Sequence, residues 1–392
     1  MSGLPAGSVI GVIGGGQLAR MIALEARRFG FEIAVLDPEG DCPAAQIAEH
    51  WVEGALNDLE AAKRLAEISD VITLDTEHVD AALLNSLEAI TPVRPSAQVL
   101  GTIQDRWTQR QFLSENGLPQ PVYHSIRDED ECADVAEKMP GGGVLKTRRF
   151  GYDGRGQARA ASGDEIGSAW ARLERAPVVI EEWIDFEREI SVVLARGLDG
   201  HIELYPVVEN RHERHILKTS HAPAQIAASL SREAERLAAR IAEALDAFGV
   251  VAVEMFVTRD QKLLINEIAP RVHNSGHFTL GACVTSQFEQ HLRGISGLPL
   301  GDPSLLRPAV LFNLLGDLWK SGEPDWTRVL AHKEARLHLY GKKQPFPGRK
   351  MGHVLLLDED LSRAEANAES ILEALGHYQA LEPESGPAPL RK

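Results

Sequence analysis

Near the amino terminus "SVIGVIG" and "FEIAVLD" form short, almost continuous apolar runs, the pattern of strands buried on both faces. Between them, in "QLARMIALEARRF", Leu18, Met21, Ile22 and Phe29 fall on one helical stripe. Strand, helix and strand in this order predict a βαβ unit. A helix in "NDLEAAKRLAEIS" and a strand in "DVITLD" extend it into a small parallel sheet.

The prolines of "GLPQPVYHS" break any helix there, so this stretch reads as a linker. Beyond it "GVLKTR", "PVVIEEW", "REISVVLARG" and "HIELYPVVEN" read as strands around a helix near 163–175, a mixed or antiparallel α+β unit. Leu237, Ile241, Leu245 and Phe248 mark another helix, with its stop at Gly249. Strands follow in "GVVAVEMFVT", "KLLINEIAPR", "LFNLLGD", "ARLHLYGK" and "GRKMGHVLLLD". The expected domains are 1–110 (Rossmann-like), 111–305 (with a subdomain at about 120–185) and 306–392 (small and β-rich).

Composition narrows the function. With 57 acidic against 41 basic side chains the formal charge is −16, which argues against binding a nucleic-acid backbone. Any anion site must be local. Cys42, Cys132 and Cys283 are widely spaced and form no CxxC pair, so neither a disulfide framework nor a zinc site is indicated. No run of eighteen apolar residues and no signal-like start is present, so a cytoplasmic protein with no membrane partner is expected.

Local chemistry concentrates in a few places. "KTRRFGYDGRGQ" sets Lys146, Arg148, Arg149 and Arg155 beside Gly151, Gly154 and Gly156; such a row of cations repels itself, and an anionic ligand is its simplest compensation. "GVIGGGQLA" holds Gly14, Gly16 and Ala19 in GxGxxA spacing, with Asp37 at the end of the next strand. That turn suits a dinucleotide, another phosphate such as that of a sugar monophosphate, or a plain tight turn. A hairpin turn centred on Asp260 and Gln261 would place Glu254 directly opposite Glu267. Two carboxylates there repel unless a cation such as Mg2+ lies between them; the alternative is a solvated edge. "APRVHNSGH" then gathers Arg271, His273, Asn274, Ser275 and His277, a polar cluster suited to an anionic substrate. No GxxxxGK[ST] or HExxH pattern occurs.

The order of a small α/β domain, a lysine with a glycine loop, then Glu and "NE" on consecutive strands resembles the ATP-grasp superfamily. Within it "GGGQLARM", "FGYDGRGQ", "NEIAPRVHNSGH", "SQFEQHLRGISGLPLG" and "YGKKQPFPGRKMGH" resemble the 5-(carboxyamino)imidazole ribonucleotide synthases of purine biosynthesis, over about residues 8–357. The resemblance implies an α/β and α+β chain: an ATP-grasp fold with a Rossmann-like preATP-grasp domain and a small C-terminal β-rich domain. It implies an ATP- and Mg2+-dependent ligase that joins bicarbonate to 5-aminoimidazole ribonucleotide through carboxyphosphate, working as a homodimer.

By the same resemblance ATP would meet Arg106, Lys146, Gly151, Tyr152, Asp153, Gly154, Arg155, Gly156, Gln157, Glu181, Glu182, Trp183, Ile184, Glu189, His212, Asn266 and Glu267. Mg2+ would sit on Glu254 and Glu267. The ribonucleotide would meet Gly16, Gln17, Leu18, Asp75, Glu77, Ser275, Lys342, Arg349 and Lys350, and the chemistry would involve Tyr152, Asp153, Arg155, Arg271, His273 and Asn274. The loop 147–157 would act as a lid. Two positions depart from the family pattern: Leu74, Asp75 and Thr76 replace a Tyr-Glu-Phe-like run, and Ala269 stands where many ATP-grasp proteins carry asparagine. A formate-using glycinamide ribonucleotide transformylase, a biotin carboxylase, a nicotinamide oxidoreductase and a silent nucleotide-binding scaffold are the alternatives.

Overall fold

A computed structural model describes residues 3–149, 151, 156–213 and 216–376. The described residues form three sheets. The first is parallel, with β1 (Val9–Ile13), β2 (Glu32–Asp37), β3 (His50–Glu53) and β4 (Val71–Leu74) in the order β3-β2-β1-β4. Leu18, Met21 and Ile22 of the helix Gln17–Arg28 are buried as the stripe requires, while Phe29 caps the helix from outside it.

The second sheet is antiparallel, with β5 (Tyr123–Ile126), β6 (Gly143–Thr147), β7 (Gln157–Ala160) and β8 (Val178–Glu181) in the order β5-β8-β6-β7. Its core is closed by Cys132, Val135, Ile166 and Trp170 from two short helices.

The third sheet carries the remaining strands: β9 (Phe186–Arg196), β10 (Ile202–Leu204), β11 (Val208–Glu213), β12 (Ile216–Ala222), β13 (Gly249–Thr258), β14 (Leu263–Ala269), β15 (Ala309–Leu315), β16 (Ala335–Leu339) and β17 (Lys350–Leu357). Its order is β14-β13-β9-β11-β12-β15-β17-β16, with β10 on β9. The C-terminal strands thus extend the central sheet through the β12–β15 pair.

Two details differ from the sequence reading. "HIELYPVVEN" is two strands, because Pro206 has no N–H to give to a ladder and the chain breaks there. The helix Ala228–Leu245 ends earlier than Gly249: Asp246 takes the left-handed turn (φ 51°), and Gly249 (φ 83°) opens β13. A side chain at Gly249 would come within 2.8 Å of His291 and Ile295.

Candidate active site

The site begins with the β13–β14 hairpin. Glu254 and Glu267 are direct cross-strand partners, as the sequence reading expected, but the turn is one residue longer than the two-residue turn assumed. Thr258 N–H donates to Lys262 O, leaving Arg259, Asp260 and Gln261 as the loop, with Gln261 at φ 60°. A bulge at Asn266 restores the register beyond it. This extra residue also breaks strand alternation, so Asn266 and Glu267 both line one cleft. Burial pushes the Glu254 carboxyl above the carboxylate range, and the Glu267 charge adds to it.

Beneath the hairpin lies a buried knot of charge. The Glu181 carboxylate, at the end of β8, accepts from Arg106 Nε (2.5 Å), Arg110 Nε (2.8 Å) and Lys146 Nζ (2.8 Å). Arg106 Nη2 also reaches Asn266 Oδ1 at 3.1 Å, and Lys146 Nζ reaches it at 3.4 Å. Burial, then the Arg106 charge, lowers the Lys146 amine to about 8 against the pull of Glu181. Glu181 itself stays far below the usual carboxylate range: the three cations outweigh its burial.

The basic loop is less unpaired than its sequence suggests. Arg148 makes a forked contact with Asp105 (2.9 and 2.8 Å), and Arg149 Nε stands 3.5 Å from the same carboxylate. Asp105 also caps the helix Arg106–Glu115. Gly156 needs its left-handed φ of 71°, and a Cβ there would lie 2.4 Å from Thr147 Oγ1. Tyr152, Asp153, Gly154 and Arg155 lie outside the described residues, and so does the expected lid tip.

At the glycine turn the protein supplies its own anions. Gly15 N–H donates to Asp37 Oδ2 (2.8 Å), and Gly16 and Ala19 N–H donate to Asp75 (3.0 and 2.8 Å). Asp37 Oδ1 is taken by Glu39 N–H. The acid a nicotinamide ribose would need is therefore engaged, and among the described residues the sheet has four strands, without the second half of a dinucleotide fold. Gly16 is removed as a phosphate donor by the same contact. The first-turn N–H groups of Gln17 and Leu18 have no partner among the described residues, and both residues line the cleft.

Across from them Arg271 pairs with Glu77 at 2.7 Å. His273 Nδ1 accepts from Ser275 Oγ (2.9 Å) and Ser275 N (3.3 Å), which leaves the ring proton on Nε2, 3.9 Å from Glu254. Burial, then the Arg271 charge, lowers its pKa to about 3. Ser275 is fully buried and orients this ring; it does not reach the cleft as the sequence reading had it. Among the described residues, buried Arg271 Nε and Asn274 Nδ2 have no hydrogen-bond partner, a cost that a polar ligand would remove.

The cleft these groups share measures about 1290 Å³. Its wall holds Gln17, Leu18, Asp75 and Glu77; Arg106, Lys146, Gly151, Gly156, Gln157 and Trp183; Glu189, His212, Glu254, Asn266 and Glu267; and Arg271, His273, Asn274 and Lys350. His212 Nδ1 pairs with Glu189, which outweighs burial and raises the His212 pKa. Trp183 is 52% exposed and lies 3.9 Å below the Arg159 guanidinium. Glu181, Glu182, Ile184, Lys342 and Arg349 stand off that wall. Glu182 is held by Val122 N–H, and Lys342 Nζ donates to Lys350 O. Burial, then the Arg349 charge, lowers Lys342 to about 8 while Asp75 pulls the other way.

Asp105 and Arg110 escaped the sequence reading. Their signal was present in "QDRWTQR", where Arg106 and Arg110 are one helical turn apart. The donor set at Glu254, Asn266 and Glu267 is all oxygen and suits Mg2+. Ala269 offers no further donor, and among the described residues no three His, Cys, Asp or Glu side chains cluster for a metal. The remaining ligands would come from phosphate and water.

Comparison with known proteins agrees with this geometry. The chain matches the ATP-grasp domain over residues 111–288, the ribonucleotide synthetase preATP-grasp domain over 8–104 and the phosphoribosylaminoimidazole carboxylase C-terminal domain over 309–367. It is therefore built as an ATP-grasp enzyme. A Brucella melitensis N5-carboxyaminoimidazole ribonucleotide synthase is 44% identical over 90% of this chain and 96% of its own length. The ADP complex of an N5-carboxyaminoimidazole ribonucleotide synthetase superposes with a TM-score of 0.91 at 39% identity, covering 97% of this chain and 100% of that one. The Aspergillus clavatus N5-carboxyaminoimidazole synthase, solved with ADP and 5-aminoimidazole ribonucleotide, gives 0.87 at 33% identity over 95% and 99%. The chain belongs to the N5-carboxyaminoimidazole ribonucleotide synthase family, whose members are ATP-dependent carboxylating ligases.

Proposed function

We propose that this protein uses ATP to carboxylate the exocyclic amine of 5-aminoimidazole ribonucleotide with bicarbonate, in purine biosynthesis. The observation that carries this reading is one cleft in which Lys146, Arg106 and the Glu254–Asn266–Glu267 oxygens face Gln17, Arg271 and Lys350. The first set suits a triphosphate, and the second a phosphorylated acceptor. A relative solved with ADP and 5-aminoimidazole ribonucleotide supports placing both in one cleft.

In the first step a bicarbonate oxygen attacks the γ-phosphorus, the bond to ADP breaks, and carboxyphosphate forms. Lys146 and Arg106 neutralise phosphate charge and hold the reactants in line. Glu254 and Glu267 would hold Mg2+, which would supply neutralisation of phosphate charge. In the second step the amine nitrogen bonds the carboxyl carbon, the carbon–oxygen bond to phosphate breaks, and the departing phosphate takes the nitrogen's proton. Neutral His273, its Nε2 proton directed into the cleft, suits a hydrogen-bond donor to the carboxyl or phosphate oxygens better than a base for that proton. Arg271, oriented by Glu77, neutralises the leaving phosphate. Gln17 and Leu18 N–H groups, with Lys350, hold the ribonucleotide phosphate, while Lys342 and Arg349 add their field from behind. We place the enzyme in the cytoplasm as a homodimer, a state that light scattering checks.

The test is ADP release with Mg2+ across acceptors. Release that needs both 5-aminoimidazole ribonucleotide and bicarbonate supports the reading. Release driven by glycinamide ribonucleotide with formate, or by biotin, replaces it with one of the other ATP-grasp activities.

A further inference from the structure

Arg110 has no exposed side chain and does not line the cleft. A guanidinium withdrawn from water is costly unless its donors are matched, and here they are. Nε donates to Glu181 Oε1 (2.8 Å), Nη1 to Ile265 O (2.8 Å) and, more weakly, Gln120 Oε1 (3.4 Å), and Nη2 to Asn266 O (2.9 Å). The two carbonyls are the informative contacts. In a regular strand successive carbonyls point to opposite sides. Ile265 and Asn266 turn theirs toward one guanidinium because Asn266 is the extra, bulged residue of β14 between Ile265 and Glu267, on the sheet's edge. The opposite link of the knot is Glu181, which Arg110 holds from behind while Lys146 holds it from the cleft side.

We propose that Arg110 is a positioning residue for the nucleotide and metal end of the cleft. It fixes the bulge that presents Asn266 and Glu267 together, and it anchors the carboxylate against which Lys146 and Arg106 are aligned. Arg106 shares part of this task through Asn266 O (3.2 Å), but it lines the cleft and would itself meet ligand. Arg110 acts only through others. The inference rests on the functional reading above, and it adds a residue to that site which would touch neither substrate nor metal.

The experiment compares the full-length wild type with R110M, R110K and L113A by steady-state kinetics, Mg2+ titration and thermal melting. Leu113 is fully buried one turn along the same helix and makes no hydrogen bond to the knot, so L113A reports lost packing without lost hydrogen bonds. R110M is expected to raise KM for ATP and the half-activating Mg2+ concentration by about tenfold, one lost charge-assisted set of bonds, with KM for 5-aminoimidazole ribonucleotide unchanged. R110K, which cannot span Glu181 and both carbonyls, is expected to show the same split to a smaller degree; it carries the test if R110M does not fold. L113A should melt earlier with unchanged KM values. The proposal is overturned if both arginine variants keep wild-type ATP and Mg2+ dependence, or if L113A shifts them equally. A wild type without acceptor-dependent ADP release would sink the functional reading instead. Calorimetric Mg-ADP affinity, wild type against R110K, would then still decide the role of Arg110, a weaker variant supporting it and an equal one refuting it.

Discussion

Glu254 faces Glu267 directly across the antiparallel β13–β14 pair, and the Asn266 bulge begins immediately beside them. Like charges so placed destabilise the protein by about 0.2–1 kcal/mol. Glu254→Gln should therefore raise the ligand-free melting temperature while lowering Mg-ATP turnover by on the order of 100-fold. Calorimetric melting and ADP release on the same sample check both parts. A variant that melts lower and keeps its turnover would place the pair outside the chemistry.

Glu181 is 3% exposed and holds three cations. Glu181→Ala leaves Arg110 buried without its carboxylate, and breaking such a pair costs about 3–5 kcal/mol. Urea unfolding should show this loss. A change below about 1 kcal/mol would mean that water reaches the knot readily.

The facing of Glu254 and Glu267 came out of the sequence only through compensation, since a one-residue slip alone would have set Glu254 opposite Asn266. The assumed two-residue turn and the unseen bulge offset one another by one residue, so the register at the carboxylates came out right. The strands β1, β2, β6, β9 and β13 were visible as apolar runs. The short β5 and β7 were not, since His124, Ser125, Gln157 and Arg159 interrupt any such run. Burial of Ser275 and the engagement of Gly16 by Asp75 depend on contacts between distant segments, which local spacing does not encode. The basic row at 146–149 read as a pure anion trap because its partners, Glu181 and Asp105, lie far away in sequence.

Lys146 titrates near 8 because burial and Arg106 disfavour its charge. A polyanion binds the protonated amine, so ATP affinity in the free enzyme should be full below about 8 and weaken as pH rises through it. The value of kcat/KM for ATP, measured from pH 6.5 to 9.5, should fall on the alkaline side. In Lys146→Ala that alkaline fall should vanish together with most of the turnover; a fall of unchanged shape would assign it elsewhere.

His277, His291 and His353 are buried and lowered by that burial, His291 to about 4. Unfolding lets them take up protons, so their contribution to stability is complete above the ordinary histidine value of about 6.5 and is lost as pH falls toward the folded values. In the folded chain His291 Nδ1 accepts Val250 N–H while Nε2 bonds Thr73, joining two sheets through one neutral ring. Melting temperature without nucleotide should drop steadily from pH 7 to pH 4.5. A flat profile would show that these rings are reached by solvent in the native state.

The most direct test of the central claim follows oxygen. In the presence of Mg-ATP and 5-aminoimidazole ribonucleotide, bicarbonate labelled with oxygen-18 should leave one labelled atom in each released phosphate, because its oxygen attacks the γ-phosphorus before the carbon meets the amine. Mass spectrometry of phosphate that forms in step with product yet carries no label would contradict bicarbonate activation in this cleft.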